Sequence, residues 1–159
     1  MAIEITEVME DNIIPIKSNI HDCSDTGTDQ TLNSGVRTLY TNDKVGYEDK
    51  SGDTNLWDSV TSTITDSIAY SQIDIIIGGK MNASSANTRL FVELVIPATT
   101  EIVVRSFDLP ITRNGVDIES SVSFNVYNGP AALLDGFQIY LTAVGGNIVI
   151  SDTHILVRV

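Results

Sequence analysis

The sequence predicts an all-β protein: an antiparallel β-sandwich or barrel of about eight strands, preceded by an extended N-terminal arm. Three observations carry this prediction. Apolar and polar residues alternate with period 2 through most of the chain beyond Val36. Gly, Pro and Asn turns break that pattern at regular intervals. The apolar set is rich in Ile and Val, with plentiful Thr and Ser, a composition that favours strands. No convincing amphipathic helix and no βαβ alternation interrupts the pattern. With 159 residues, the chain has room for one self-sufficient core and an appendage.

Residues 1–35 read as the arm. Residues 2–8 alternate weakly, and Ile13-Ile14-Pro15-Ile16 forms a short apolar patch, which Pro15 keeps off a sheet interior. The stretch 22–35 is dominated by Asp, Ser, Thr, Asn and Gly, with Cys23 and Leu32 its main apolar residues. It should be loop, or be ordered only against a neighbour. The domain proper is expected over 36–159. Residues 36–41 read as a strand, 42–56 as a long loop and 58–68 as partly extended.

The later elements are clearer. Ile73, Ile75 and Ile77 share one face of a strand that Gly78-Gly79 should end. In 89–96, Leu90, Val92, Leu94 and Ile96 face one way, with Phe91 and Val95 opposite them. The strand expected over 101–109 places Val103 and Phe107 opposite Ile102 and Val104. Val122, Phe124 and Val126 face inward in 121–127, and Phe137, Ile139 and Leu141 share a face in 136–144. Gly145-Gly146-Asn147 turns the chain into a last strand, 148–159, where Val149, Ile155, Val157 and Val159 should share a face. Eight strands in two sheets is the jelly-roll count, although spacing alone fits an immunoglobulin-type sandwich equally well. A lone sandwich needs one apolar face per strand. The extra apolar positions Phe91, Val95, Val103 and Phe107 are therefore candidates for a subunit interface.

Charge and chemistry exclude more than they select. The formal charge is −12, from 21 acidic and 9 basic residues. No nucleic-acid partner and no anionic membrane surface is expected. One cysteine, Cys23, rules out an intramolecular disulfide. Residues 1–10 do not resemble a signal peptide, and no apolar run is long enough to span a bilayer. The acidic stretch Asp22, Asp25 and Asp29 fails the EF-hand spacing. Asp43, Glu48, Asp49 and Asp53 read in the same way, as turn-forming loop residues. His21 and Cys23 do not make a zinc set. Asp152 and His154 share a strand face, but no nucleophile signature accompanies them. No phosphate loop or dinucleotide motif is present. The expectation is a protein that is not an enzyme, with no cofactor, no metal and no catalytic residue. Trp57, the one tryptophan, reads as an anchor plugging one end of the sandwich.

The segment 39–59, LYTNDKVGYEDKSGDTNLWDS, combines Asn42-Asp43-x-x-Gly46 with a closing Leu56-Trp57-Asp58 turn. It is similar to the corresponding opening of β-jelly-roll virion proteins of tailed bacteriophages, and the resemblance covers roughly 36–159. It implies jelly-roll topology and a place on the virion surface after synthesis in the host cytoplasm, and the strands apolar on both faces add the expectation of a homotrimer. The expected function is capsid decoration or cementing. The arm, through Ile13, Ile14, Pro15 and Ile16, would dock on the major capsid protein or another virion protein. The alternative is a receptor-binding or fibre-tip domain that recognises host glycan, with Tyr40, Tyr47, Trp57 and Tyr127 gathered in one exposed patch.

Overall fold

The computed structural model describes residues 20–25, 29–42, 47–49 and 56–159. These residues form two antiparallel sheets packed around one apolar core, with a small two-stranded sheet at one end. The larger sheet has the order β10 (Ile118–Tyr127), β7 (Gln72–Ala83), β12 (Ile148–Arg158), β1 (Ile20–Asp25), β4 (Tyr47–Asp49), and β2 (Gln30–Leu32) also pairs with β12. The smaller sheet has the order β3 (Arg37–Leu39), β11 (Gln138–Val144), β8 (Thr88–Ile96), β9 (Ile102–Ile111). A hairpin of β5 (Trp57–Asp58) and β6 (Thr63–Ile64) is joined to the start of β11 by a bridge between Ile64 and Phe137.

Alternation builds the core as the sequence predicts. Ile73, Ile75 and Ile77 from β7 meet Leu90, Val92 and Leu94 from β8, with Val122, Phe124 and Val126 from β10 and Ile139 and Leu141 from β11. Each fully buried side chain of this kind contributes roughly 1.5–3 kcal/mol. The void lined by Tyr40, Ile77, Gly78, Met81 and Val92 measures only about 10 Å³, too small to hold a ligand.

Several expectations are corrected. Residues 20–25 and 30–32 are strands of the larger sheet, and Leu32 is buried in the core. The polar stretch is held there by main-chain pairing with β12, which the side-chain pattern does not report. The candidate docking residues Ile13, Ile14, Pro15 and Ile16 lie outside the described residues. Gly78-Gly79 does not end a strand, because β7 continues to Ala83 with partners on both sides. A short helix, α1 (Pro130–Asp135), precedes β11. Pro130 suits its first turn, and Gly136 ends it with a φ of +70°.

Two bulges reverse the facing of strands. In β8–β9, Leu94 pairs with Arg105 but Val95 pairs with Val103, so Val104 is the extra residue. Phe107 is consequently opposite Val92, on the core side, while Val103 is opposite Val95 on the outer side. The same happens in β12 between Ser151 and His154, where Asp152 takes a φ of +48°. Ile148 and Ile150 are inward before the bulge, and Ile155 and Val157 after it. Val149 is therefore not on the face of Ile155.

Candidate interaction surfaces

Among the described side chains, the groups with catalytic potential do not converge. Asp152 points its carboxylate to the Lys80 ammonium at 2.5 Å, and that pairing raises the Lys80 pKa above its ordinary value. His154 instead lies over Gly78. A Cβ at position 78 would stand 2.7 Å from His154 Nε2 and 2.7 Å from the Ser120 carbonyl. The ring borders a shallow polar depression of about 570 Å³ lined by Glu119, Ser120, Ser121 and itself. Among the described residues, no group of three His, Cys, Asp or Glu side chains is placed to share a metal ion.

The aromatic residues divide in a way the sequence did not separate. Tyr40 and Trp57 are buried and meet edge to face, with ring centroids 6.5 Å apart. The Tyr40 hydroxyl donates to the His154 carbonyl at 2.9 Å, and Trp57 Nε1–H donates to the Asn42 carbonyl at 3.0 Å. Their polar atoms are satisfied internally, as a buried anchor requires. The expected exposed patch of Tyr40, Trp57 and Tyr127 is not formed, and the Tyr47 side chain lies outside the described set. Among the described residues, the exposed tyrosines are Tyr127 and, unanticipated, Tyr70.

The four candidate interface residues also divide. Val95 is completely buried within the chain, and its cross-strand partner Gln138 donates to the Thr61 carbonyl and to Thr63 of the small hairpin. Val95 is therefore removed from the exposed set. Phe91 is half-buried on the outer face of the smaller sheet, beneath the Arg89 guanidinium. Val103 and Phe107 remain exposed on β9.

β9 is an edge strand in which most residues are exposed, including Ile102, Val103 and Phe107. An edge of this length offers unpaired main-chain donors and acceptors to another chain. Pro110 interrupts it near one end. Beside it, between β9 and β10, a groove of about 160 Å³ is lined by Met81, Leu109, Ile111 and Ile118 among others.

The outer face of the smaller sheet is closed by charge pairing. Arg37 donates to Glu93 at 2.8 Å and to both oxygens of Glu101 at 2.7 and 2.9 Å. Its guanidinium stacks 4.0 Å from the centre of the Tyr140 ring. The bidentate contact from Arg37 holds the Glu101 carboxyl below its ordinary pKa. Arg89 pairs with Asp108 in the same way. Both guanidinium groups are committed within the chain.

No protein-family model matches the chain, and no curated protein matches it significantly.

Proposed function

We propose that this chain is a structural protein of a tailed-bacteriophage virion, a jelly-roll subunit that decorates the capsid surface and assembles as a homotrimer. The reading rests first on the likeness of residues 39–59 to virion jelly rolls. The strand order adds support. The pairs β1–β12, β3–β11, β7–β10 and β8–β9 are nested, first strand with last and inward to the central hairpin. Nesting of this kind is how a long hairpin wraps into two sheets, and it favours a jelly roll over an immunoglobulin-type sandwich.

The observation that carries the assembly part is the β9 edge. It exposes Ile102, Val103 and Phe107 beside a backbone edge that no described strand pairs, a combination that a soluble monomer usually avoids and that an oligomer covers. The described core offers no room for a substrate, and binding through surfaces is the mechanism that fits. The glycan-binding alternative is weakened by the burial of Tyr40 and Trp57, two of its expected platforms.

The test has two arms. Light scattering of the purified chain should give three times the monomer mass, and a Val103→Lys substitution on β9 should lower it. Co-sedimentation with capsids stripped of this protein should show saturable binding. A monomer at micromolar concentration that also fails to co-sediment would overturn the reading. Deleting residues 1–19 separates docking by the arm, with Ile13, Ile14 and Ile16, from docking by the sandwich.

A further inference from the structure

One pole of the sandwich carries a second surface, distinct from β9. It is built from the β5–β6 hairpin, the loop 65–71, the end of β10 and α1. These pieces are tied to one another. Tyr70 N–H donates to the Asn128 carbonyl at 2.7 Å, and Asn128 N–H donates to Ser71 at 2.9 Å. The buried Asn128 amide donates to the Asp66 and Ile68 carbonyls at 2.8 and 3.0 Å. Gly136, at the end of α1, packs against the hairpin so closely that a Cβ there would stand 2.7 Å from the Ile64 carbonyl.

Six apolar or aromatic side chains stand exposed on these cross-tied elements: Val60, Ile68, Tyr70, Tyr127, Leu133 and Leu134. Val60 is 91% exposed and Leu134 85%. Side chains exposed to this degree bury little apolar surface within the chain. Two residues of the pole also hold left-handed backbone without being glycine, Ser62 at φ 52° and Tyr70 at φ 61°. Such positions cost free energy and persist where the surroundings enforce them. The surface is thus preformed, which lowers the ordering cost of binding.

Among the described residues, the charged side chains on the elements of the pole are acidic. Residues 51–79 and 114–157 contain no Lys or Arg, and the half-buried Asp58 and the exposed Asp135 belong to the pole, whereas the Asp66 carboxylate is buried and accepts from Ile68 N–H and Ser71. Arg158 in the larger sheet is in register with Asp74, and Arg105 in the smaller sheet is in register with Leu94. We propose that this pole is a docking surface for a partner protein whose contact face is aliphatic and bordered by lysines or arginines. A second copy would bring the same acidic border in a chain of charge −12, so self-association through the pole is disfavoured. The proposal does not depend on the virion reading.

The experiment titrates the isotope-labelled full chain with a designed amphipathic helical peptide of leucine and lysine, followed by amide chemical shifts. A leucine–glutamate peptide of the same pattern is the control. Saturable shifts should be confined to residues 58–71 and 127–136, and the control should bind at least tenfold more weakly. Leu133→Ser with Leu134→Ser, or Val60→Ser separately, keeps the net charge and should weaken lysine-peptide binding about tenfold. Equal binding of the two peptides, shifts spread over acidic residues elsewhere, or wild-type affinity in the serine variants would overturn the proposal. Concentration-dependent shifts at the pole without peptide would do so too, by making a second copy the occupant.

Discussion

Phe107 of β9 meets Phe124 of β10 edge to face, with ring centroids 5.2 Å apart. The two strands are consecutive in the chain but belong to opposite sheets, each at an edge. The contact joins the two sheets along their open side. One ring is buried and the other is 39% exposed, so Phe107 serves the fold on one side and remains available on the other.

Phe107→Ala should therefore destabilise the chain by about 1–2 kcal/mol. That is less than the roughly 3–5 kcal/mol of a fully buried Phe, because the ring is only partly covered, and it includes a lost aromatic pair. Val103→Ser, on the outer face beyond the bulge, should change subunit stability by less than about 0.5 kcal/mol. Urea unfolding at a concentration where the oligomeric state is the same for both variants measures the difference.

Gly78→Ala should be costly although it adds one methyl group. Its Cβ would press on the His154 ring and on the Ser120 carbonyl, and overpacking of this kind costs about 1–3 kcal/mol. Adding His154→Ala should recover only part of the loss, since the Ser120 carbonyl is main chain and cannot swing away. Full recovery in thermal melts would mean that the histidine alone sets the constraint.

The Arg37 cluster gives a pH dependence with a definite sign. Glu101 is held below its ordinary pKa first by the hydrogen bonds from Arg37. The folded chain therefore binds a proton there less readily than the unfolded chain does. The resulting stability is complete above the ordinary Glu value of about 4.3 and disappears as pH falls through the depressed folded value. Both side chains are more than a third exposed, so the contribution is about 1 kcal/mol at low salt. Arg37→Gln should lower stability at pH 7 and flatten its fall between about pH 5 and 3. A parallel shift of the whole curve would show that stacking on Tyr140 matters more than the charge.

Asn128→Ala should loosen the pole selectively. It removes two hydrogen bonds to the 66–68 main chain, worth about 1 kcal/mol each, while the backbone bonds through residue 128 remain. Hydrogen exchange should accelerate at 66–71 and stay unchanged in β7 and β8. Uniform acceleration would mean that the residue supports global rather than local stability.

The sequence by itself determined the class of the molecule and most of its core. Alternation in β7, β8, β10 and β11 places Ile73, Val92, Phe124 and Ile139 inside, because a pleated strand sends every second side chain to one face whatever it packs against. Composition also determined the acidity and the lack of an intramolecular disulfide. The tertiary structure decided what alternation cannot encode. Polar residues 20–25 become a strand because β12 offers them main-chain partners, and a hydrogen bond between backbones leaves little trace in side-chain identity. One inserted residue in β9 and one in β12 reverse facing, which moves Phe107 inward and separates Val149 from Ile155. Tyr40 and Trp57 differ from Tyr70 and Tyr127 only in where the chain carries them. Burial of an amphipathic ring depends on whether a carbonyl is in reach, and tertiary contacts settle that: His154 is 114 residues from Tyr40 in the chain, and Asn42 is 15 from Trp57.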